Sequence, residues 1–306
     1  IVTGIFYPDS GGPSIYLKNL ISELKESSTK VKAVITLSDN LNTDGYHKTK
    51  IIRIRRKQNK IIRRIKTMLN ILLYSFNVDL IYVNGLEFES IFVCKFILKK
   101  KVILKIVGDR IWEYAQNNKL SIESIDKFQE IKHNYKFGSL IKIRKYLFNK
   151  VDGIIVPSFY LRKIVEGWGV KKPILNVIYN SNNEKQTKYF TKKKQFDLIT
   201  VCRLVPWKGI ETLIKICQKN NLSINIVGDG PIESDLKLLS GKDLNKLIFF
   251  SGKLPSNKII NEIKKAKVFI LNSSYEGLPH VLIESMKSRT PIICSDVGGN
   301  SELIKH

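Results

Sequence analysis

Short apolar runs alternate with helix-period segments along almost the whole chain, and that alternation limits what it can fold into. "DLIYVNG", "KVILKIVGD" and "VDGIIVPS" are continuous enough to be strands buried on both faces, whereas "SIYLKNLISELKES" and "GIETLIKICQK" carry apolar residues at helical spacing. Buried strands joined by helices make parallel sheets covered on both sides, so the fold class is α/β. In such folds ligands bind at the carboxyl ends of the strands, and the loops there are where chemistry should sit.

The alternation breaks once. After a short strand, "NSNNEKQTKYFTKKKQ" is polar, charged and without period, and it reads as a linker. Two Rossmann-like doubly wound domains are expected around it, residues 1–180 and 181–306. "KIIRRIKTMLNILLYSF" aligns Ile61, Ile62, Ile65, Met68, Leu69, Leu72, Leu73 and Phe76 on one helical stripe. The expectation there is a core helix with a solvated basic outer face. Docking of the basic stretch 53–70 to an anionic membrane surface is the alternative. The chain opens at Ile1 inside a strand-like run and stops at "GGNSELIKH", so both natural ends are expected to lie outside it.

Lys and Arg number 52 against 27 Asp and Glu, a net charge of +25. Such an excess suits nucleic acid, an anionic membrane or phosphorylated small molecules, unless it is plain composition in a chain rich in Ile, Lys and Asn. Nucleic acid is argued against by the lack of a binding motif or of an aromatic-and-basic platform. Cys94, Cys202, Cys217 and Cys294 are scattered with no metal-ligand spacing, which fits a reducing compartment. No apolar run reaches the length of a membrane span, since "ILLYSFNVDLIYV" is broken by Asn77 and Asp79.

Four loops carry candidate chemistry. In "IVGDGPIE", Gly228 and Gly230 follow a strand, but Glu233 stands at the third glycine position of a dinucleotide fingerprint, so a plain strand-to-helix turn serves equally. In "YPDSGGPSIY", Gly11 and Gly12 precede a helix N-terminus, where bare backbone can approach a phosphate or sugar, or simply make a tight turn. "VCRLVPWKG" sets Arg203 and Lys208 before a helix, an arrangement suited to a diphosphate and equally to a solvated basic loop. "SSYEGLPHVLIE" is the most constrained. Pro279 fixes a helix start, Gly277 admits a ligand, and Glu276 and Glu284 are eight positions apart. Carboxylates accept hydrogen bonds from vicinal diols, so one could hold a sugar and the other a ribose, with a diphosphate between them on the cations and helix amides. The alternative is a helix-terminal charge at Glu276 and an exposed helix residue at Glu284.

These loops, in this order, resemble the retaining GT-B glycosyltransferases of family 4. "RLVPWKG" and the Glu-seven-residues-Glu of "EGLPHVLIE" carry the likeness, and "GGPSIYLKNL", "IVGDGP" and "FFSGKLP" extend it along nearly the whole chain. The resemblance implies two Rossmann-like domains facing a cleft, the C-terminal one truncated here, with donor-side residues after 181 and the acceptor on the first domain. It implies a hexosyl transfer from a nucleotide-sugar to a lipid-linked or envelope glycan, with retention. Arg203 and Lys208 would neutralise the diphosphate, Glu284 hold the ribose and Glu276 contact the sugar. Gly277, Leu278, Pro279 and His280 would line the site beside them. Lys253 and Leu254 would meet the base, while Gly12, Gly228 and Gly230 approach the donor. No metal and no cofactor are implied, because cations and a helix terminus do the work of a metal. The expected place is the cytoplasm, peripheral on the cytoplasmic membrane face. Where the family carries a cleft His, this chain has "KIVGDRIWE"; Asp109 is the acceptor-side candidate there, or else a helix cap. Cys202 replaces the usual Gly before Arg203. A nucleotide-sugar epimerase or phosphorylase, and an inert basic binding module of the same fold, are the competing readings.

Overall fold

A computed structural model of the chain describes residues 1–9, 11–41, 46, 49–181 and 194–305. Most of the expected linker, residues 182–193, lies outside the described residues. The chain divides into two compact units, one of residues 1–111 and 129–180, the other of residues 112–128 and 181–306. Residues 112–128 therefore depart from a division at 180.

The first unit holds strands β1 (Val2–Thr3), β2 (Ala33–Ser38), β3 (Lys50–Arg55), β4 (Leu80–Asn84), β5 (Lys101–Lys105), β6 (Gly153–Val156) and β7 (Leu175–Val177). They form one parallel sheet in the order β3-β2-β1-β4-β5-β6-β7. Inner strand β2, "AVITLS", is buried at every position, as a strand covered on both faces must be. β3 was not visible as a strand, because the cations of "KIIRIR" place it at a sheet edge, where only one side is paired. Helices α1 (Gly12–Leu24), α2 (Lys60–Ser75), α3 (Glu87–Ile91), α6 (Tyr135–Phe148) and α7 (Phe159–Gly167) accompany them, while α4 (Arg110–Asn117) and α5 (Ile125–Glu130), which follow β5 in the chain, lie mostly within the stretch 112–128 of the second unit. Side-chain caps set several starts: Asn59 accepts from Ile61 N at 2.9 Å, Asn134 from Phe137 N at 3.1 Å and Ser158 from Leu161 N at 3.1 Å.

Helix α2 overturns the expectation of a core stripe. It buries Thr67, Ile71 and Ser75 and turns Ile61, Ile62, Ile65, Leu69 and Leu73 outward, with Phe76 exposed just past its end. Periodicity shows that a stripe exists but not which way it faces; here the small residues let the helix sit close to the sheet.

Asp109 also has a settled place. It is fully buried, accepts from Ile111 N at 2.9 Å at the start of α4, and pairs with Arg144 of α6 at 2.8 Å. Gln129 donates to its other oxygen at 3.1 Å, and Trp168 Nε1 donates to Gln129 at 2.8 Å. The Arg144 guanidinium lies 3.7 Å from the Trp168 ring centroid. The geometry supports the helix cap over the acceptor-side role, since a carboxylate so enclosed offers no open oxygen to a hydroxyl.

The second unit holds β8 (Phe196–Val201), β9 (Ile224–Val227), β10 (Ile248–Gly252), β11 (Ala266–Leu271) and β12 (Ile292–Cys294), in the parallel order β10-β9-β8-β11-β12. Helices α8 (Ile210–Asn220), α9 (Glu233–Ser240), α10 (Ser256–Ile263), α11 (His280–Ser288) and α12 (Asn300–Leu303) accompany it. Alternating strand residues feed two cores: Ile224 and Ile226 join Leu213, Ile214 and Leu236, while Val227 joins Ile263, Phe269 and Leu282. The strand order reverses between β8 and β11, which opens a crevice outside their carboxyl ends.

Asp109→Ala leaves the Arg144 cation buried and unpaired, and is expected to cost about 3–5 kcal/mol. Urea unfolding followed by far-ultraviolet circular dichroism measures it. A loss below about 1 kcal/mol would show that the buried pair does not hold this corner of the unit.

Candidate functional site

The loops after β8 and β11 meet at that reversal. After β8, residues 206–208 make a tight turn ended by Gly209 in the left-handed conformation (φ 61°), which starts α8. A Cβ on Gly209 would lie 2.4 Å from Asn272 O, so only glycine lets the two loops touch there. Backbone and side chain then tie them. Ser274 N donates to Trp207 O at 2.8 Å, and the Asn272 amide donates to Gly209 O at 3.1 Å.

Across this seam Lys208 Nζ forms an ion pair with Glu276 Oε1, to which the buried Ser273 hydroxyl also donates at 2.6 Å. Both charged side chains are largely withdrawn from water, where an ion pair is screened less than on the surface. Pro279 caps the start of α11, and Glu276, Gly277 and Leu278 just before it are buried. Glu284, one turn into α11, is buried as well, so the alternative of an exposed helix residue does not hold. The N-terminus of α11 is the positive end of the helix dipole and favours negative charge. Arg203 is exposed at the opening of the β8 loop, beside the buried Leu204. Cationic Arg203 and Lys208, acidic Glu276 and Glu284, and a helix N-terminus thus share one end of one sheet.

Cys202 fits where a glycine was expected. Burial pushes its thiol up to about 11, with Lys208 opposing and Glu276 adding to the shift, so it is a small apolar filler and not a nucleophile at neutral pH.

Gly228 and Gly230 follow β9 and lie under the β8 loop. A Cβ on Gly228 would come within 1.9 Å of Cys202 O, and one on Gly230 within 2.1 Å of Leu204 O. The observed contact is thus backbone on backbone, with Cys202 N donating to Val227 O at 3.0 Å and Leu204 N to Asp229 O at 2.8 Å. Lys253 and Leu254 follow the edge strand β10; Lys253 is exposed, 3.9 Å from the Asp229 carboxylate. Gly12 is the first residue of α1, in the first unit.

Two features escaped the sequence reading. Gly298 and Gly299, in the turn after β12, support the β11 loop: Gly299 N donates to Glu276 O at 3.0 Å, and a Cβ on Gly298 would lie 2.0 Å from that same oxygen. The signal was present, a glycine pair past a strand in "SDVGG", as at Gly11 and Gly12. Trp112 is the other. Its ring is 5.2 Å from that of Trp207 and 5.1 Å, edge-on, from that of Tyr275, so it touches the neighbours of both Lys208 and Glu276. Nothing local marks a tryptophan so far back in the chain as part of this site.

Fold and site together define a GT-B architecture, two Rossmann-like parallel-sheet units with the polar cluster on the second. Residues 181–306 match the family model described as Glycosyl transferases group 1. An uncharacterised glycosyltransferase of Methanocaldococcus jannaschii is 24% identical over 99% of this chain and 80% of its own length. The UDP-Gal:alpha-D-GlcNAc-diphosphoundecaprenol alpha-1,3-galactosyltransferase of Escherichia coli is 31% identical over 42% of this chain and 35% of its own. Among solved structures, Anabaena HepE in complex with UDP and glucose superposes with a TM-score of 0.72 at 17% identity, covering 100% of this chain and 83% of HepE. The chain spans 27% and 45% of the length of two further curated relatives.

Gly298→Ala forces a Cβ into the peptide of Glu276 at a positive φ of 57° and is expected to cost more than about 1 kcal/mol. A thermal melt beside Gly167→Ala, where an added Cβ meets nothing within 4 Å, isolates the effect. Equal melting temperatures would refute the close packing of the two loops.

Proposed function

We propose that this chain belongs to a retaining glycosyltransferase of family 4 that moves a hexosyl unit from a nucleotide-sugar to a lipid-linked or cell-envelope glycan. The observation that carries the reading is the Lys208–Glu276 pair at the strand-order reversal, beside Arg203, Glu284 and the start of α11. A nucleotide-sugar presents two anionic phosphates flanked by two sets of hydroxyls. The cluster offers cations and helix amides flanked by two carboxylates, the complementary order.

In the free protein Lys208 and Glu276 satisfy each other. An arriving diphosphate competes for the Lys208 ammonium, and the released Glu276 carboxylate is then free to accept from sugar hydroxyls. Arg203 supplies a second, delocalised charge to the diphosphate, and Glu284 accepts from the ribose diol. The bond from the anomeric carbon to the phosphate oxygen breaks as the acceptor oxygen bonds on the same face. The departing phosphate takes the acceptor's proton. No protein nucleophile enters this scheme, and the high thiol pKa keeps Cys202 out of it. HepE's complex with UDP and glucose and the UDP-Gal in the galactosyltransferase's name favour a uridine donor, and the diphosphoundecaprenol in that name favours a lipid-linked acceptor at the cytoplasmic membrane face.

Calorimetry with UDP-, GDP- and ADP-linked sugars, on the chain extended to its natural ends, tests this. One donor should bind selectively, and Arg203→Ala and Glu284→Ala should each weaken it about tenfold or more, since each removes charged or paired hydrogen bonds. A folded protein that binds none of them refutes the transferase reading.

A further inference from the structure

Each member of the charged pair follows an aromatic residue in the chain: Trp207 precedes Lys208, and Tyr275 precedes Glu276. Both rings meet one indole. Trp112 lies 5.2 Å from Trp207, tilted at 54°, and 5.1 Å from Tyr275, edge-on at 72°. Tilted and edge-on arrangements are those that aromatic pairs favour. Trp112 and Tyr275 are buried and Trp207 is half-buried, so the contact is largely withdrawn from water.

The ties already described act on the main chain: Ser274 N donates to Trp207 O, the Asn272 amide to Gly209 O, and glycines let the peptides approach. Such ties hold two backbones together and leave long side chains their rotamers. A rigid ring that touches the residue before each charged group restrains what the peptides leave loose. The indole itself has little freedom. Its Nε1 donates to Glu123 O at 2.9 Å, and Gln116 Nε2 donates to the same oxygen at 2.7 Å. The stretch that carries it is fastened at both ends to one buried carboxylate. Asp109 accepts from Ile111 N at 2.9 Å and from Gln129 Nε2 at 3.1 Å. Trp112 stands one residue beyond the first of these bonds.

We infer that Trp112 is a positioning residue for the charged pair. Through Trp207 and Tyr275 it holds Lys208 and Glu276 in the mutual geometry in which they meet, so that a diphosphate finds the ammonium and the carboxylate already in place. The consequence for ligand binding rests on the nucleotide-sugar reading above; the ordering of the pair in the free protein does not.

Trp112→Leu and Trp112→Phe, in the chain extended to its natural ends, test this. Neither change orphans Glu123 O, which keeps Gln116 as its donor. By calorimetry with the UDP-, GDP- or ADP-linked sugar that the wild type selects, Trp112→Leu should bind about tenfold more weakly, while Trp112→Phe, which keeps a ring, should stay within about threefold. Trp207→Leu, at a half-buried position, removes one of the two contacts from the loop side and should show a smaller loss. In the free protein Glu276→Gln breaks the ion pair. The fall in melting temperature that it causes should shrink to about half or less in the Trp112→Leu background, because coupled sites do not add. Unchanged affinity in either leucine variant, or equal melting shifts in the two backgrounds, overturns the inference. Equal weakening by Trp112→Phe and Trp112→Leu overturns it as well, since that would place the effect in the Nε1 hydrogen bond. A wild-type protein that binds no nucleotide-sugar counts against the proposed function alone, and the melting comparison then decides the role of Trp112.

Discussion

At the carboxyl edge of the second sheet, peptide groups touch one another with no side chain between them. The β8 loop rests on Gly228 and Gly230, the β11 loop on Gly298 and Gly299, and the two loops meet at Gly209. Everything polar in the site follows from that contact. Lys208 and Glu276 are far apart in sequence, and they pair because the backbones carrying them are pressed together and hydrogen-bonded. With no Cβ able to enter, the loops have little room to drift, which is the kind of preorganisation that electrostatic recognition of a charged ligand needs. Gly228 and Gly230, whose spacing also suits a strand-to-helix turn, hold part of the frame on which the charged groups stand.

The parallel sheets were legible because buried strands and covering helices each impose their own period, and nearly every αβ step after residue 196 lies where that period places it. The two charged loops were legible for a different reason. Arg, Lys, Glu, Gly and Pro cluster there at spacings that an ordinary connection has no use for. What could not be read depends on partners distant in the chain. The stripe of α2 is equally regular whether it faces core or solvent, and only the small Thr67 and Ser75 on the opposite side decide it. Asp109 reads the same as a cap or as a catalytic group until Arg144 and Gln129 close around it. Gly298 reveals its role only beside Glu276 O.

The net charge of +25 has more than one origin. A few cations are tied to specific tasks: Arg144 is buried against Asp109, and Lys208 faces Glu276. Lys105, fully buried in the first sheet, has its pKa lowered to about 8 by that burial and lies over the Tyr16 ring at 4.7 Å. Lys60 and Lys66 of α2 are of another kind, exposed on a helix without acidic residues, while its Arg64 pairs with Glu89. Charge that is scattered through a lysine-rich composition in the sequence is sorted by the fold into pairs and into one amphipathic face.

Trp112 carries a further consequence. The stretch that clusters with the second unit includes residues 112–128, so the polypeptide passes from one unit to the other three times. A fragment starting at 181 would contain both charged loops and all five strands of the second sheet, yet Trp207 and Tyr275 would lose the ring that both of them touch. In this chain the boundary of a sequence family and the boundary of a folding unit are different lines, and the aromatic that separates them sits against the loops that carry the charge. Grafting residues 181–306 alone onto another first half would leave that tryptophan behind.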